Sequence, residues 1–301
     1  MQRSERFTIG ICVLLVAVVT GMVLWLSPTP DASLVDSLVS ERAPSGQPAH
    51  QVGGPAPMSP TVDGHPLDPA LKIAREALAK FEGEVDDYTA TLIKRERISG
   101  TLGTETRMEI KLRTRRLEGD KLIRPLQVYL KMLDPWLARG REVVWVEGRN
   151  QGKLTAHEGG LKNVMRISLA PTDQLAMLGN KYPITEIGLS KLMEKLIEKG
   201  ERDKLAGPCE VTIKSGSEVG GRRCQLIEVK HPERDARFDF HIARIFLDEE
   251  RMIPLRYAAY LWPAKPGDAP PLEEEYTYVD VRLNVGLQDI DFDPENPAYN
   301  F

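Results

Sequence analysis

Residues 126–148, LQVYLKMLDPWLARGREVVWVEG, decide the fold class. Leu126, Val128, Leu130 and Met132 alternate with Gln127, Tyr129 and Lys131, the period-two pattern of a strand with one buried face. Asp134-Pro135 interrupts the run, because proline has no amide hydrogen to donate and disfavours helix in the residue before it. Val143, Val144, Trp145 and Val146 then resume as a second strand. Upstream, Thr106, Met108, Ile110 and Leu112 alternate with Arg107, Glu109, Lys111 and Arg113. Further strand-like runs fall at 87–98, 152–158, 163–168, 209–214, 222–230, 237–247, 252–262 and 272–283.

Two stretches carry a helical period instead. Asp68 stands as N-cap before Pro69, with Leu71, Ala74, Leu78 and Phe81 as the apolar stripe and Gly83 as terminator. Residues 188–204 place Leu189, Leu192, Met193, Leu196 and Ile197 on one side. About eleven strands in sequential order with two segregated helices make an α+β protein: a long curved antiparallel sheet, a half-barrel, covered by the helices.

The chain has 301 residues, 42% hydrophobic, with net charge −4, which supports a sizeable core and excludes a generic nucleic-acid binder. Charge is uneven. Lys94, Arg95, Arg97, Arg107, Lys111, Arg113, Arg115, Arg116, Lys121 and Arg124 form a basic stretch. Glu273, Glu274, Glu275, Asp280, Asp289, Asp291, Asp293 and Glu295 form an acidic one. These are solvated strand faces, or the basic stretch meets anionic lipid headgroups.

The N-terminus reads as a membrane anchor, residues 1–27. Arg3 and Arg6 precede the uncharged run FTIGICVLLVAVVTGMVLWL at 7–26, which as a helix spans roughly 30 Å of hydrocarbon. The arginines place the N-terminus in the cytoplasm and the rest on the outer side, as a single-pass membrane protein. A cleaved signal peptide is the rival, but no small-x-small site follows. Residues 28–66 hold Pro28, Pro30, Pro44, Pro48, Pro55, Pro57, Pro60 and Pro66, a linker composition that buries too little apolar surface to fold. Residues 67–301 are the folded domain.

Motifs for chemistry are weak. Gly148 to Leu154 has glycine spacing one residue short of a phosphate loop and leucine where the magnesium-binding hydroxyl belongs; it reads as a hairpin turn. Ser190 lacks the second glycine of a nucleophile elbow. His157, His231 and His241 have no paired ligand spacing, and Asp289, Asp291, Asp293 and Glu295 lack the turn glycine and distant bidentate glutamate of a calcium loop. Glu273 to Glu275 read as a solvated strand start. No catalytic residue, metal or cofactor is expected. Cys209 and Cys224 flank a hairpin-like stretch; in an oxidising compartment they form a disulfide if register brings their Cα atoms within about 7 Å.

Several segments resemble a known family. They are Tyr88 to Leu92 with Lys94-Arg95-Glu96, Val128 to Lys131, Gly140 to Val143, Val146-Glu147-Gly148, Tyr182-Pro183-Ile184, Pro254 to Tyr257, Glu274 to Tyr278, and Asn284 to Leu287 with Asp291-Phe292-Asp293. Together they resemble the domain-of-unknown-function family 1571, typical of planctomycete bacteria, which brings no activity. The architecture is similar to the LolA and LolB lipoprotein carriers and RseB-like sensors. That likeness implies a concave apolar face able to hold acyl chains, without catalysis.

The residues make a parallel case. A long sheet needs one apolar face covered, and two helices offer limited cover. Met108, Ile110, Leu112, Val128, Leu130, Met132, Val144, Val146, Phe238, Phe240 and Ile242 are the expected lining. Either that face is partly vacant and takes a lipid, a lipoprotein or another apolar ligand, or it is a packed core. The alternative function is an interaction module that reads an envelope protein partner.

Overall fold

The computed structural model describes residues 34–41, 64–159 and 165–301. The expected membrane span at 7–26 lies outside the described residues, among which no helix is long and apolar enough to cross a membrane. Within the expected linker, Leu34–Leu38 form a short helix, α1, and Val39–Glu41 a strand, β1. Helix α2 spans Asp68–Glu84 and α3 spans Leu189–Ala206.

The strands are β2 (Asp87–Ile98), β3 (Thr101–Leu102), β4 (Thr106–Arg113), β5 (Arg116–Glu118), β6 (Lys121–Arg124), β7 (Gln127–Asp134), β8 (Glu142–Val146), β9 (Leu154–His157) and β10 (Arg166–Leu169). After α3 come β11 (Glu210–Val219), β12 (Arg222–Lys230), β13 (Ile242–Asp248), β14 (Pro254–Tyr260) and β15 (Leu272–Leu283). One 13-stranded sheet runs β1-β11-β12-β13-β14-β15-β2-β4-β7-β8-β9-β10, with β3 on β2 and a separate β5-β6 hairpin. Every pairing is antiparallel, so the α+β half-barrel class holds. β2 lies inside the sheet. The chain meanders from it to one edge, crosses the inner face through α3, and meanders back from the other edge to pair β15 with β2.

The helices sit where small residues admit them. Gly188 has φ +116°, and a Cβ there would come 2.6 Å from Leu112 Cδ1 and 3.0 Å from Tyr88 Oη. The α3 N-terminus therefore lies directly on β2 and β4, and the Leu189 amide donates to Tyr88 Oη at 3.0 Å. A Cβ on Gly200 would meet Leu71 Cδ2 at 2.8 Å, so α2 and α3 cross closely. The α2 N-cap is Leu67, not Asp68; the Asp68 carboxylate accepts from the His65 amide at 2.8 Å instead.

Basic and acidic stretches meet each other. Lys111 pairs with Asp291 at 2.9 Å, Arg113 with Asp289 at 2.6 Å, Arg97 with Glu273 at 3.6 Å, and Arg166 with Glu295. Three of the four acids that resemble a calcium loop are thus ion-pair partners, while Asp293 accepts from the Glu295 amide; among the described residues no cluster suits a metal. The segment after β15 lies on the outer face, where Leu287, Phe292, Tyr299 and Phe301 pack on Tyr129, Val144 and Val146.

Candidate functional site

At one end of the inner face the register lines up polar side chains. Ala259, Glu274 and Glu96 lie side by side on β14, β15 and β2; Tyr257, Tyr276 and Lys94 form the next row on that face. The segment before α3 adds Lys181 and Tyr182, and α3 from its middle onward adds Lys195, Lys199 and Arg202 at helical spacing.

Glu274 is the centre. Its residue is 2% exposed. Oε2 accepts from Tyr182 Oη at 3.0 Å and Lys181 Nζ at 2.9 Å; Oε1 accepts from Tyr257 Oη at 3.2 Å and Lys199 Nζ at 3.4 Å. Four donors fill the roughly four lone-pair sites of a carboxylate. Burial alone would raise the Glu274 pKa, but Lys199 and Lys181 outweigh it and hold the carboxyl below its ordinary value. Burial, then the Glu274 charge, pushes Tyr182 and Tyr257 well up, so both remain phenols. Burial works against the Lys181 charge, yet Glu274 and Glu273 hold its pKa above normal. A second buried group sits alongside, where Tyr276 Oη and Lys94 Nζ donate to Glu96 at 2.5 and 2.7 Å.

Beside these groups lies a half-open cavity of about 450 Å³, whose lining includes Lys181, Lys195, Lys199, Arg202, Glu273 and Glu274, with Tyr182, Tyr257 and Phe240. A second hollow of about 390 Å³ is lined by Ala236, Phe238, Leu261, Trp262 and Pro271, together with the charged Arg234 and Asp235. Asp239 lines both. One chamber is charged, its neighbour mainly apolar.

The expected apolar lining is divided by the structure. Met108, Ile110, Leu112 and Val128 are buried in a core filled by Ala77, Phe81, Leu189 and Met193 from the helices, with Leu130 and Met132 at its margin. Val144 and Val146 are corrected to the outer face: they pair with Tyr129 and Gln127, whereas Trp145 opposite Val128 points inward. Phe238 and Phe240 precede β13 in a loop, where each lines a cavity. Ile242 is partly buried at the start of β13. The disulfide is also corrected. Cys209 and Cys224 are both free and buried. Register pairs Glu210 with Lys230 and Ser217 with Cys224, so the cysteines stand at opposite ends of the β11-β12 hairpin.

Sequence reading missed Lys181, Lys199, Tyr257 and Glu274 as a unit. The i, i+4, i+7 spacing of Lys195, Lys199 and Arg202 was the local signal. Tyr182, Tyr257, Glu274 and Tyr276 also fall in the segments that carry the family resemblance.

The architecture is an α+β half-barrel with a charged chamber beside a filled core. The chain belongs to the family described as Protein of unknown function (DUF1571), whose model matches residues 85–301. No curated protein sequence matches it. Solved structures to which it is similar include LolA-superfamily and MucB-type proteins. MucB in the Pseudomonas aeruginosa MucA/MucB complex aligns at 18% identity, covering 74% of this chain and 60% of that one, with TM-score 0.42. A putative outer membrane lipoprotein-sorting protein domain from Vibrio parahaemolyticus aligns at 16%, covering 74% and 95%, with TM-score 0.33. A LolA superfamily protein from Nitrosomonas europaea aligns at 11%, covering 73% and 97%, with TM-score 0.29.

Proposed function

We propose that the chain is a non-catalytic binding module for an amphipathic ligand, a lipid or lipoprotein, on the outer side of the membrane to which its N-terminus tethers it. The adjoining cavities carry this reading: a charged chamber and a mainly apolar hollow share Asp239. An acyl segment in the hollow gains about 0.8 kcal/mol per buried methylene. A polar end in the chamber replaces the water that its charged groups would lose. Binding suits these groups better than acid–base work. Glu274 is saturated and held ionised, the tyrosines are held protonated, and Lys181 is held charged. General acid–base catalysis needs groups that titrate near the working pH.

Native mass spectrometry of the full chain, released gently from detergent, tests the proposal. Wild type carries a lipid-sized adduct. Ala236→Trp, which sets an indole at the exposed lip of the hollow, loses it while keeping the same anchor. Equal adducts on both, or a bare chain that takes up no fluorescent fatty acid, would overturn the reading.

A second reading, an interaction module for an envelope protein, rests on the β5-β6 hairpin. Leu117, Leu122 and Ile123 stand exposed there outside the main sheet. A stoichiometric partner that Leu122→Glu releases, independent of lipid, would favour it.

A further inference from the structure

We propose that Asp239 occupies the seat of the ligand's anionic group: a phosphate-class oxyanion, free or borne on a lipid head, takes its place between Lys199 and Arg202. The inference deepens the amphipathic-ligand reading and rests on it.

The argument is one of donors and acceptors. An ammonium has three N–H donors and a guanidinium five. Lys181 uses two, on Glu273 at 2.7 Å and Glu274 at 2.9 Å. Lys199 uses one, on Glu274 at 3.4 Å, and stands 3.7 Å from Asp239, beyond hydrogen-bond reach. Arg202 meets Asp239 at 2.7 Å and Asp203 at 3.6 Å. Glu274 has no acceptor capacity left, so the floor of the chamber offers unused donors. Lys181 and Lys199 flank the two oxygens of that one carboxylate, so their remaining hydrogens share a small volume.

The lining as a whole is charge-balanced, with Lys181, Lys195, Lys199 and Arg202 against Glu198, Asp239, Glu273 and Glu274. An added anion must therefore replace a carboxylate. Glu274 is buried and fully bonded. Glu273 is held by Lys181 and, at 3.6 Å, by Arg97. Lys195 is committed to Glu186 and lies 3.9 Å over the Tyr182 ring. Glu198 is exposed and stands in no ion pair with the chamber's cations, so turning it away frees no donor. Asp239, which does hold Lys199 and Arg202, is the replaceable one. Its side chain is 46% exposed, both cations meet the same oxygen, and its contact with Lys199 is the longest in the chamber.

Position supports the exchange. Asp239 stands where the charged chamber meets the apolar hollow. The head of a ligand whose tail lies in the hollow arrives at that junction. A bidentate arginine and a lysine point charge are the pair that recognises phosphate. Released Asp239 turns to water at little cost, since its loop position and exposure leave it solvated.

Calorimetry on the full chain in a non-ionic detergent, at fixed salt, tests this with dihexanoyl phosphatidic acid, dihexanoylglycerol and inorganic phosphate. Phosphatidic acid is expected to bind at least about tenfold tighter than the phosphate-free lipid. Lys199→Gln and Arg202→Gln each weaken it by about tenfold, while Asp239→Asn tightens it several-fold by removing the internal competitor. A gain of affinity is not what a structural lesion produces. Competition by inorganic phosphate assigns the seat to the oxyanion alone; absence of competition assigns it to the lipid-borne group. If dihexanoylglycerol binds as well as phosphatidic acid and Asp239→Asn changes nothing, the anion seat is overturned and the amphipathic reading stands. If neither lipid binds, both fall.

Discussion

The two ends of the inner face differ although one helix covers both. Over β2, β4 and β7, the N-terminal half of α3 brings Leu189 and Met193 down onto Met108, Ile110, Leu112 and Val128, and α2 adds Ala77 and Phe81. Over β14 and β15, the helix from its middle onward brings Lys195, Lys199 and Arg202 above Tyr257 and Glu274. The first end is closed by interdigitated hydrocarbon. The second is held apart by charges that must each keep a partner, and a cavity remains. The fold is stabilised at one end and leaves room for a guest at the other, so damage to each end should be separable.

The largest effect is expected at the filled end. Phe81→Ala removes a fully buried ring that meets Tyr88 edge-on at 6.1 Å and should cost about 3–5 kcal/mol. Urea denaturation would read it. The comparison breaks if the folded fraction of this variant also loses its ligand, because the chamber would then depend on the core.

At the charged end, Glu274→Gln strips Lys181 and Lys199 of a buried anion and should cost about 3 kcal/mol, the low end for breaking a buried pair, because Glu273 and Asp239 still receive both lysines. The pH dependence has a definite sign. Lys199 and Lys181 lower the Glu274 pKa in the folded chain, so its contribution is full above the ordinary glutamate value of about 4.3. It is lost as the pH falls through the lower folded value. Wild type should therefore lose more stability than Glu274→Gln as the pH drops below about 4. Parallel acid profiles would remove Glu274 from the centre of the site.

How much of this was legible follows from which interactions are local. Alternation gave β2, β12 and β15 their observed limits, Asp87–Ile98, Arg222–Lys230 and Leu272–Leu283. It failed at the β5-β6 hairpin, where Arg116–Glu118 and Lys121–Arg124 are too short to show a period and bury no face. Alternation also says that a strand has two faces without saying which one is inner. Val144 and Val146 went outward because pairing with Tyr129 and Gln127 sets the face, and register is a property of two strands. The chamber was hidden for the same reason. Glu274 in EEEY resembles a solvated strand start; its partners Lys181, Tyr182 and Lys199 lie far away in the sequence, and only topology brings them together.

The smallest effect concerns Cys209 and Cys224, the two cysteines among the described residues, one near each end. Cys224 belongs to the filled core with Phe246 and Leu247, and Cys209 to the cluster of Leu71, Phe240 and Tyr257 beside the chamber. Burial, with Asp203 adding, pushes the Cys209 thiol up to about 11; burial, with Asp248 adding, pushes Cys224 up to about 12. Thiolate is the reactive form, so both should resist iodoacetamide at pH 8 in the native chain and react at once in urea. Peptide mapping over time ranks them. Cys209 should be modified faster, from local opening at the charged end, whose buried apolar cluster is the smaller one. Equal rates would mean that the two ends open together, and that the division between a structural end and a binding end does not extend to the dynamics of the fold.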